Sequence, residues 1–223
     1  MSVHVHLVHA AYRLLQVRAP TAYVALIRLR GADFYPVGRD STFVIAGAPG
    51  SANSFVRAAF LQVNPDVEVA SHAHVWTEVR DAVRWGRPVL LLVRDPLGEA
   101  ASRLTRFGNV TPAQALSDYA DYHERVLRWK HDVVVAPFED ATSLVGNVIE
   151  RVNARFGTTF TPFPDGDAQA VATLTALLAP ANGALPQAER QAERDAARQA
   201  LNAPALTALR GRCDAAYAAL VDL

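Results

Sequence analysis

Short apolar runs alternate with stretches of helical spacing along the middle of this chain. Apolar runs at residues 43–47, 88–93 and 133–136 predict three strands, and Val67-Glu68-Val69-Ala70 predicts a fourth, short one. The run at 88–93 is continuous, as is typical of a strand buried on both faces of a parallel sheet. Between the runs, apolar residues recur every three or four positions. This spacing predicts helices over 54–63, 76–85, 97–106 and 143–156, and another that starts near 112.

Strands and helices that alternate in this way predict an α/β fold. We expect a three-layer α/β/α arrangement with a parallel sheet and a P-loop-like nucleotide-binding topology. The 223 residues are enough to bury a full core, and one domain over 1–223 is the simplest division. Within it we expect a helical N-terminal lid at 1–40, with helices at 5–17 and 21–29. A cofactor-binding core at 41–160 and a helical C-terminal segment at 161–223 follow.

The charge balance of the chain is neutral. Lys and Arg together number 22, as do Asp and Glu, so the formal net charge is zero. Such a chain has no overall field to attract nucleic acid, and we expect no nucleic-acid partner. Lys130 is the only lysine. The planar guanidinium of arginine suits phosphate and carboxylate recognition, although a GC-rich genome would produce the same bias.

Membrane and secretion signals are missing from the sequence. No apolar run approaches the ~20 residues of a membrane-spanning helix. The N-terminus does not have the charged and apolar regions of a secretory signal. The single cysteine, Cys213, cannot form a disulfide within the chain, which fits a reducing compartment. We therefore expect a cytoplasmic protein with no integral membrane segment.

The segment Gly47-Ala48-Pro49-Gly50-Ser51-Ala52-Asn53-Ser54-Phe55 lies between the first predicted strand and a helix. Small residues and hydroxyls at a helix N-terminus are typical of a loop that binds phosphate through backbone N–H groups. In the P-loop frame G-x-x-x-x-G-K-[ST], Gly47 and Ser54 match, whereas Asn53 stands in the lysine position. The loop therefore predicts a phosphorylated ligand, but not an ordinary ATPase.

Two further polar segments directly follow predicted strands. They are Ser71-His72-Ala73-His74 and Arg94-Asp95-Pro96. The carboxyl ends of parallel strands lie at one edge of a sheet, so both segments should meet the loop at 47–55 there. Each segment alone is common in proteins of many kinds. Together they offer an anion cradle, a proton acceptor and positive charge.

The stretch from Val93 to Arg103 resembles the 3′-phosphate motif of the sulfotransferases that use 3′-phosphoadenosine-5′-phosphosulfate (PAPS). In that motif an arginine ends a strand and a serine follows eight residues later, as Arg94 and Ser102 do here. A guanidinium and a hydroxyl on the facing side of a helix can hold one terminal phosphate. The resemblance implies that PAPS is the cofactor, that these two residues bind its 3′-phosphate, and that adenosine 3′,5′-bisphosphate is the product.

The loop at 48–55 is similar to the 5′-phosphosulfate loop of the same family, P-[KR]-S-G-T-[TS]-[WF]. The matching residues are Pro49, Ser51, Ser54 and Phe55. Gly50 stands where the family has a lysine or arginine that stabilises the leaving oxygen, and Ala52-Asn53 replaces Gly-Thr. The Asn53 amide can still donate to a phosphate. Loss of a preorganised cation typically costs about 3 kcal/mol, or a hundredfold in rate, and Arg57 is a candidate to replace it.

Ala70-Ser71-His72 resembles the family's K-[ST]-H segment, in which the histidine takes a proton from the acceptor hydroxyl. His72 is therefore the first candidate for the general base and His74 the second, since an unperturbed histidine pKa of ~6.5 suits this role. If the strand continued through both, the two rings would point to one face, and a His-x-His metal site would be an alternative. No third ligand with suitable spacing is evident, and we expect no metal.

The resemblance covers roughly residues 40–160 and includes Phe138-Glu139-Asp140, which is similar to the family's [FY]-E-D segment. The R-K-G segment that closes over the cofactor in cytosolic members of the family is absent. Three arginines spaced four residues apart could replace it or form a solvated charged stripe. They are Arg190, Arg194 and Arg198.

The resemblance implies transfer of a sulfuryl group to a hydroxyl or amine of an acceptor. This acceptor is a small molecule, a carbohydrate or a lipid, and the side chains carry no code that identifies it. Tyr119, Tyr122 and Trp129 either line its pocket or belong to the core. Two alternatives stay open: a PAPS-binding protein of weak or no activity, which Gly50 favours, and a small P-loop kinase, which Asn53 disfavours.

Overall fold

A four-stranded parallel sheet forms the centre of the protein, and this confirms the predicted α/β class. The computed structural model describes residues 15–16, 18–30, 35–106, 110–178 and 187–222. Most of the predicted helix at 5–17 and the predicted break at 180–186 lie outside these residues. The strands are β1 (Phe43–Gly47), β2 (Val69–Ser71), β3 (Val89–Val93) and β4 (Val134–Pro137).

Helices connect the strands and continue to the C-terminus. The first five are α1 (Pro20–Arg30), α2 (Asn53–Val63), α3 (Trp76–Arg84), α4 (Pro96–Arg106) and α5 (Pro112–Val126). The others are α6 (Phe138–Ser143), α7 (Val145–Phe156), α8 (Ala168–Leu178), α9 (Gln187–Leu201) and α10 (Thr207–Val221). Short 3₁₀ turns cover Leu127–Trp129 and Pro204–Leu206. None of the helices within the described residues is long and apolar enough to cross a membrane.

The strand order is β2-β1-β3-β4, and every pairing is parallel. Val44 of β1 pairs with Ala70 on one side and with Val89 on the other. The outer edge of β2 is covered by Tyr35, whose backbone exchanges hydrogen bonds of 3.0 and 2.7 Å with Ser71. Because all strands run the same way, the segments after β1, β2 and β3 lie at one edge of the sheet.

Side chains of β1 point alternately to the two faces of the sheet, and helices cover both faces. Phe43 and Ile45 pack in a core with α2 and α7, whereas Val44 and Ala46 pack in a second core with α3, α5 and α10. The strands are buried along their length because apolar helix faces lie on either side. This arrangement is compatible with the expected three layers.

A third core joins α4 and α5 to the C-terminal helices α9 and α10. It contains Cys213, which is fully buried and whose Sγ donates to the Leu116 carbonyl at 3.2 Å. Burial raises the pKa of this thiol to about 12. Between α4 and α5, Arg103 and Asp118 form a buried ion pair at 2.9 Å. The C-terminal helices therefore pack against the helix that follows Arg94.

The predicted single helix at 143–156 is wrong in its first turn, because two helices meet there. α6 begins at Phe138, and Leu144 interrupts the helical path with φ −134° and ψ 46°. The free N-terminus of α7 is satisfied by Asp165, which accepts from the Gly146 N–H at 2.7 Å and the Asn147 N–H at 3.1 Å. Because the Asp165 side chain accepts these hydrogen bonds, a new helix can begin directly after Leu144.

Candidate functional site

A cleft of about 300 Å³ opens at the edge of the sheet where β1, β2 and β3 end. Residues from all three segments singled out in the sequence line it, together with side chains of α4, α6, α8 and α9. The predicted residues that line it are Gly50, Ala52, Asn53, Ser54, Phe55, His72, His74, Arg94 and Ser102. The parallel sheet therefore brings most of the predicted site together.

The loop after β1 delivers the N-terminus of α2 to this cleft. Gly50 and Ala52 both adopt positive φ angles, 98° and 70°, which turn the chain sharply before the helix starts at Asn53. Ala52 is the N-cap and has no side-chain acceptor for the first N–H groups of the helix. Free N–H groups and the positive end of the helix dipole make such a terminus attract anions.

Arg94 links the end of β3 to the loop. Its Nη1 donates to the Gly50 carbonyl at 3.0 Å, and its guanidinium lies 3.9 Å from the centre of the Phe138 ring. Tyr119 donates its hydroxyl to the Arg94 carbonyl at 2.8 Å. These contacts hold the arginine in a fixed place at the wall of the cleft, with donors remaining on its other nitrogens.

Positive charge dominates the cleft. Arg106 from α4 and Arg194 from α9 line it beside Arg94, and no acidic side chain is among the described residues that line it. Burial lowers the pKa of Arg94. The nearby charges of Arg194 and Arg198 lower it further, and Asp95 opposes the shift. A bound anion would relieve this accumulation of like charge.

Arg57, the candidate to replace the missing loop cation, lies elsewhere. Its guanidinium stacks on the Tyr35 ring at 3.9 Å from the ring centre, and it does not line the cleft. Arg194 belongs to the arginine series on α9 that the sequence offered as either a cofactor clamp or a charged stripe. The side chain of Arg190, in the same series, is outside the described part of the chain.

Ser102 lies directly beside the loop. A Cβ added to Gly50 would come within 3.0 Å of Ser102 Oγ and 3.2 Å of its Cβ. No larger residue fits at Gly50 without moving that serine. The packing between the loop and α4 therefore favours glycine at position 50.

The two histidines follow β2, which ends at Ser71, so they do not lie on a continuing strand. Both have left-handed backbone angles, with φ of 68° at His72 and 53° at His74. For non-glycine residues, this region costs roughly 1–2 kcal/mol each. Such strain is often stored at functional sites.

The histidines have different surroundings. His72 Nε2 lies 3.0 Å from Ser54 Oγ, at the first turn of α2. His74 Nδ1 lies 2.8 Å from the Gly47 carbonyl. This nitrogen must carry a proton to make that bond. Burial lowers the pKa of His74 to about 3, although the bond to Gly47 opposes the shift. His74 is therefore neutral at neutral pH and tied to the end of β1.

Two predicted cofactor-binding residues turn away from the cleft. Pro49 lines a separate small cavity of about 30 Å³ with His74 and Tyr122. Ser51 is fully buried, and its hydroxyl donates to Glu99 Oε2 at 3.1 Å. The Ser51 side chain thus anchors the loop to α4 from behind.

Glu99 is a residue that sequence reasoning missed. It is fully buried on α4, with the Nε2 of the buried His123 3.7 Å from its Oε2. Burial raises the pKa of Glu99 to about 8, against the opposing charge of Arg103. Burial likewise lowers the pKa of His123 to about 4. Glu99 lies three residues before Ser102, and Arg106 lies four residues after it. Helical spacing from Ser102 would therefore have placed both residues on the same face of α4.

Of the three aromatic residues proposed for an acceptor pocket, Tyr119 is in the core, where it stacks on His123. Trp129 stacks on Trp76 at the outer side of a second core. Among the described residues, no group of three or more His, Cys, Asp and Glu side chains is arranged to hold a metal ion.

No family model, curated protein or solved structure matches this chain. The function proposed below therefore rests on the motifs of the sequence and on the geometry of the cleft.

Proposed function

We propose that the protein transfers a sulfuryl group from PAPS to a hydroxyl or amine of an acceptor. The observation that carries the proposal is the composition of the cleft. The N-terminus of α2 and three arginines meet there, and no acidic side chain lines it among the described residues. A ligand with several phosphate or sulfate groups is the chemistry that such a surface recognises.

The residues present fit PAPS at both of its anionic ends. Arg94 and Ser102 lie beside each other across Gly50 and would hold the 3′-phosphate. The backbone N–H groups at the start of α2, including that of Asn53, and the Ser54 hydroxyl would hold the 5′-phosphosulfate. The β1–loop–α2 unit next to β3 also supports a P-loop-like nucleotide-binding topology. When bound, PAPS supplies the activated sulfuryl group.

His72 is favoured over His74 as general base. His74 has a pKa of about 3 and binds Gly47, so it is a weak base with a structural partner. His72 Nε2 faces the Ser54 hydroxyl, and this nitrogen can accept the acceptor's proton once Ser54 donates to a phosphate. In this role His72 would take the acceptor's proton as the sulfuryl group passes to the acceptor oxygen, and adenosine 3′,5′-bisphosphate would be the leaving group.

Arg106 and Arg194 are candidates for the charge that Gly50 cannot provide, because both line the same cleft. If neither acts during transfer, the protein binds PAPS without efficient turnover. This is the second candidate function, and the contact between Gly50 and Ser102 favours it. A P-loop kinase has less support. Asn53, in the lysine position, donates to the Ala48 carbonyl of its own loop at 3.1 Å.

Thermal unfolding with adenosine 3′,5′-bisphosphate tests the binding part of the proposal. At a hundredfold excess over Kd, a ligand stabilises by about 2.7 kcal/mol, which is roughly 5–10 °C for a domain of this size. ADP should give a smaller shift. Arg94→Ala should abolish the shift. Arg128→Ala, at an exposed position that does not line the cleft, should keep it. No shift in the unmodified protein would refute the cofactor assignment.

Transfer of radiolabelled sulfate from PAPS to a panel of phenols, sugars and amines separates the enzyme from the binding protein. His72→Asn should lose transfer at least a hundredfold while retaining the thermal shift. His74→Asn should lower the melting temperature, because it removes the bond to β1. Binding without transfer in the unmodified protein would support the second candidate.

A further inference from the structure

A second cavity of about 260 Å³ lies between α1 and α3, apart from the cationic cleft. Its size is many times the about 10–15 Å³ that one water needs. Apolar walls are formed by Val24 and Ala25 of α1, by Val37 and by Trp85. Ala73 also lines it, while its neighbours His72 and His74 line the cleft. The cavity is thus a separate compartment that shares one wall segment with the cleft.

Glu78 of α3 lines this cavity with an unused carboxyl group. The residue is 1% exposed, and neither carboxyl oxygen has a hydrogen-bond partner among the described residues. Thr77, also buried at this wall, has a hydroxyl that is likewise without a partner there. Buried polar groups are nearly always satisfied in folded proteins, so two unsatisfied ones at one cavity require an explanation.

The charges around the cavity show which ligand would satisfy Glu78. Asp81 also lines it, and its carboxylate is held by Arg80 at 2.8 Å. Arg28 is the only cation among the described lining residues, and its guanidinium donates to the Val37 carbonyl. Burial raises the pKa of Glu78 to about 8. An ammonium group brought into the cavity would stabilise the ionised Glu78 carboxylate. Arg28 does not compete for this carboxylate, because neither Glu78 oxygen has a hydrogen-bond partner among the described residues.

We infer that this cavity binds small organic amines, whose ammonium group donates to the Glu78 carboxylate and whose hydrocarbon part packs against the apolar wall. The Thr77 hydroxyl accepts a second ammonium hydrogen. The inference does not depend on the proposed function, because the cavity and the cleft share no lining residue.

Titration of the full chain with butylamine, cyclohexylamine and benzylamine tests this inference. Benzyl alcohol and benzoate serve as neutral and anionic partners of the same shape. Benzylamine should bind about 10- to 100-fold more tightly than benzyl alcohol, the range expected for a charge-assisted hydrogen bond in a buried site. Trp85 lines the cavity, so binding should change tryptophan fluorescence. Trp85→Phe should remove most of that change.

Glu78→Gln keeps the shape of the side chain and should remove the preference for amine over alcohol. Thr77→Val, which changes one hydroxyl to a methyl group, should weaken benzylamine binding several-fold and provides a second test if Glu78→Gln does not fold. Glu150→Gln on the exposed side of α7 is the matched control. If none of the three amines binds at millimolar concentration, or if Glu78→Gln binds them equally well, the inference is wrong. Saturating adenosine 3′,5′-bisphosphate should not displace the amine.

Discussion

Gly50 offers the sharpest test of how the loop after β1 is built. Its φ of 98° is strained for any residue with a Cβ, and that Cβ would lie 3.0 Å from Ser102 Oγ. We therefore expect Gly50→Ala to destabilise the protein and to displace the Ser102 side chain at the wall of the cleft. A lysine or arginine at this position would meet the same two obstacles. Under the proposed function, Gly50→Lys and Gly50→Arg should therefore not raise the rate of sulfuryl transfer.

Three contributions decide the size of the effect. A left-handed backbone costs an L-residue roughly 1–2 kcal/mol. Overpacking against Ser102 adds about 1–3 kcal/mol, and the smaller entropy of the unfolded alanine chain returns about 0.4–1 kcal/mol. The net loss expected for Gly50→Ala is about 1–5 kcal/mol, with a central value of about 3 kcal/mol.

Two matched substitutions separate these contributions in urea unfolding. Gly86 has a φ of 65° but nothing within 4 Å of an added Cβ, so Gly86→Ala should lose only about 1 kcal/mol. Gly166 has open space and a φ outside the left-handed region, so Gly166→Ala should be neutral or slightly stabilising. Equal stability of the Gly50 and Gly86 variants would refute the contact with Ser102. Equal stability of all three variants would also refute the backbone strain expected at the positive φ angles of Gly50 and Gly86.

Three further outcomes are expected. Asp118→Asn leaves a buried arginine unpaired and should cost about 3–5 kcal/mol, whereas Glu124→Gln at an exposed pair should cost under about 1 kcal/mol; similar losses in urea unfolding would contradict this. The native pKa of Glu99, about 8, lies above the ordinary carboxyl value, so the protein loses stability as pH rises towards 8. Glu99→Gln cannot ionise, and its stability relative to the unmodified protein should increase from pH 5 to pH 8; a constant difference would show that Glu99 is not protonated. Arg194→Ala should weaken adenosine 3′,5′-bisphosphate binding about tenfold in calorimetry, and an affinity equal to that of Arg128→Ala would remove Arg194 from the site.

The local pattern of apolar residues was sufficient to predict the strands that are apolar throughout and the helices with strong apolar periodicity. β1 and β3 lie where continuous apolar runs predicted them, and α2 and α4 each begin one residue before the predicted start. The region after β4 was harder, because α6 starts at once and the break at Leu144 depends on Asp165. That interaction joins residues about twenty positions apart, beyond the reach of helical or strand spacing.

The sequence predicted the part of the site that follows from a parallel sheet. The carboxyl ends of parallel strands meet at one edge, so the loop, the histidines and Arg94 could be brought together from the sequence. The hydrogen bond from Ser51 to Glu99 could not be predicted from the sequence. Both residues are polar, and they become buried only because α4 packs behind the loop. Arg194 reaches the cleft from α9 through tertiary packing that has no local signature.

The burial of Cys213 gives this chain an internal reporter of motion. The thiol is the only one in the sequence. Because it is fully buried and burial raises its pKa, we expect the thiol to react only when α5 and α10 separate. The rate at which a thiol reagent labels it under native conditions therefore measures how often the C-terminal helices open. α9, which carries Arg194 to the cleft, packs in the same core as Cys213, so the same rate should fall when an anion occupies the site.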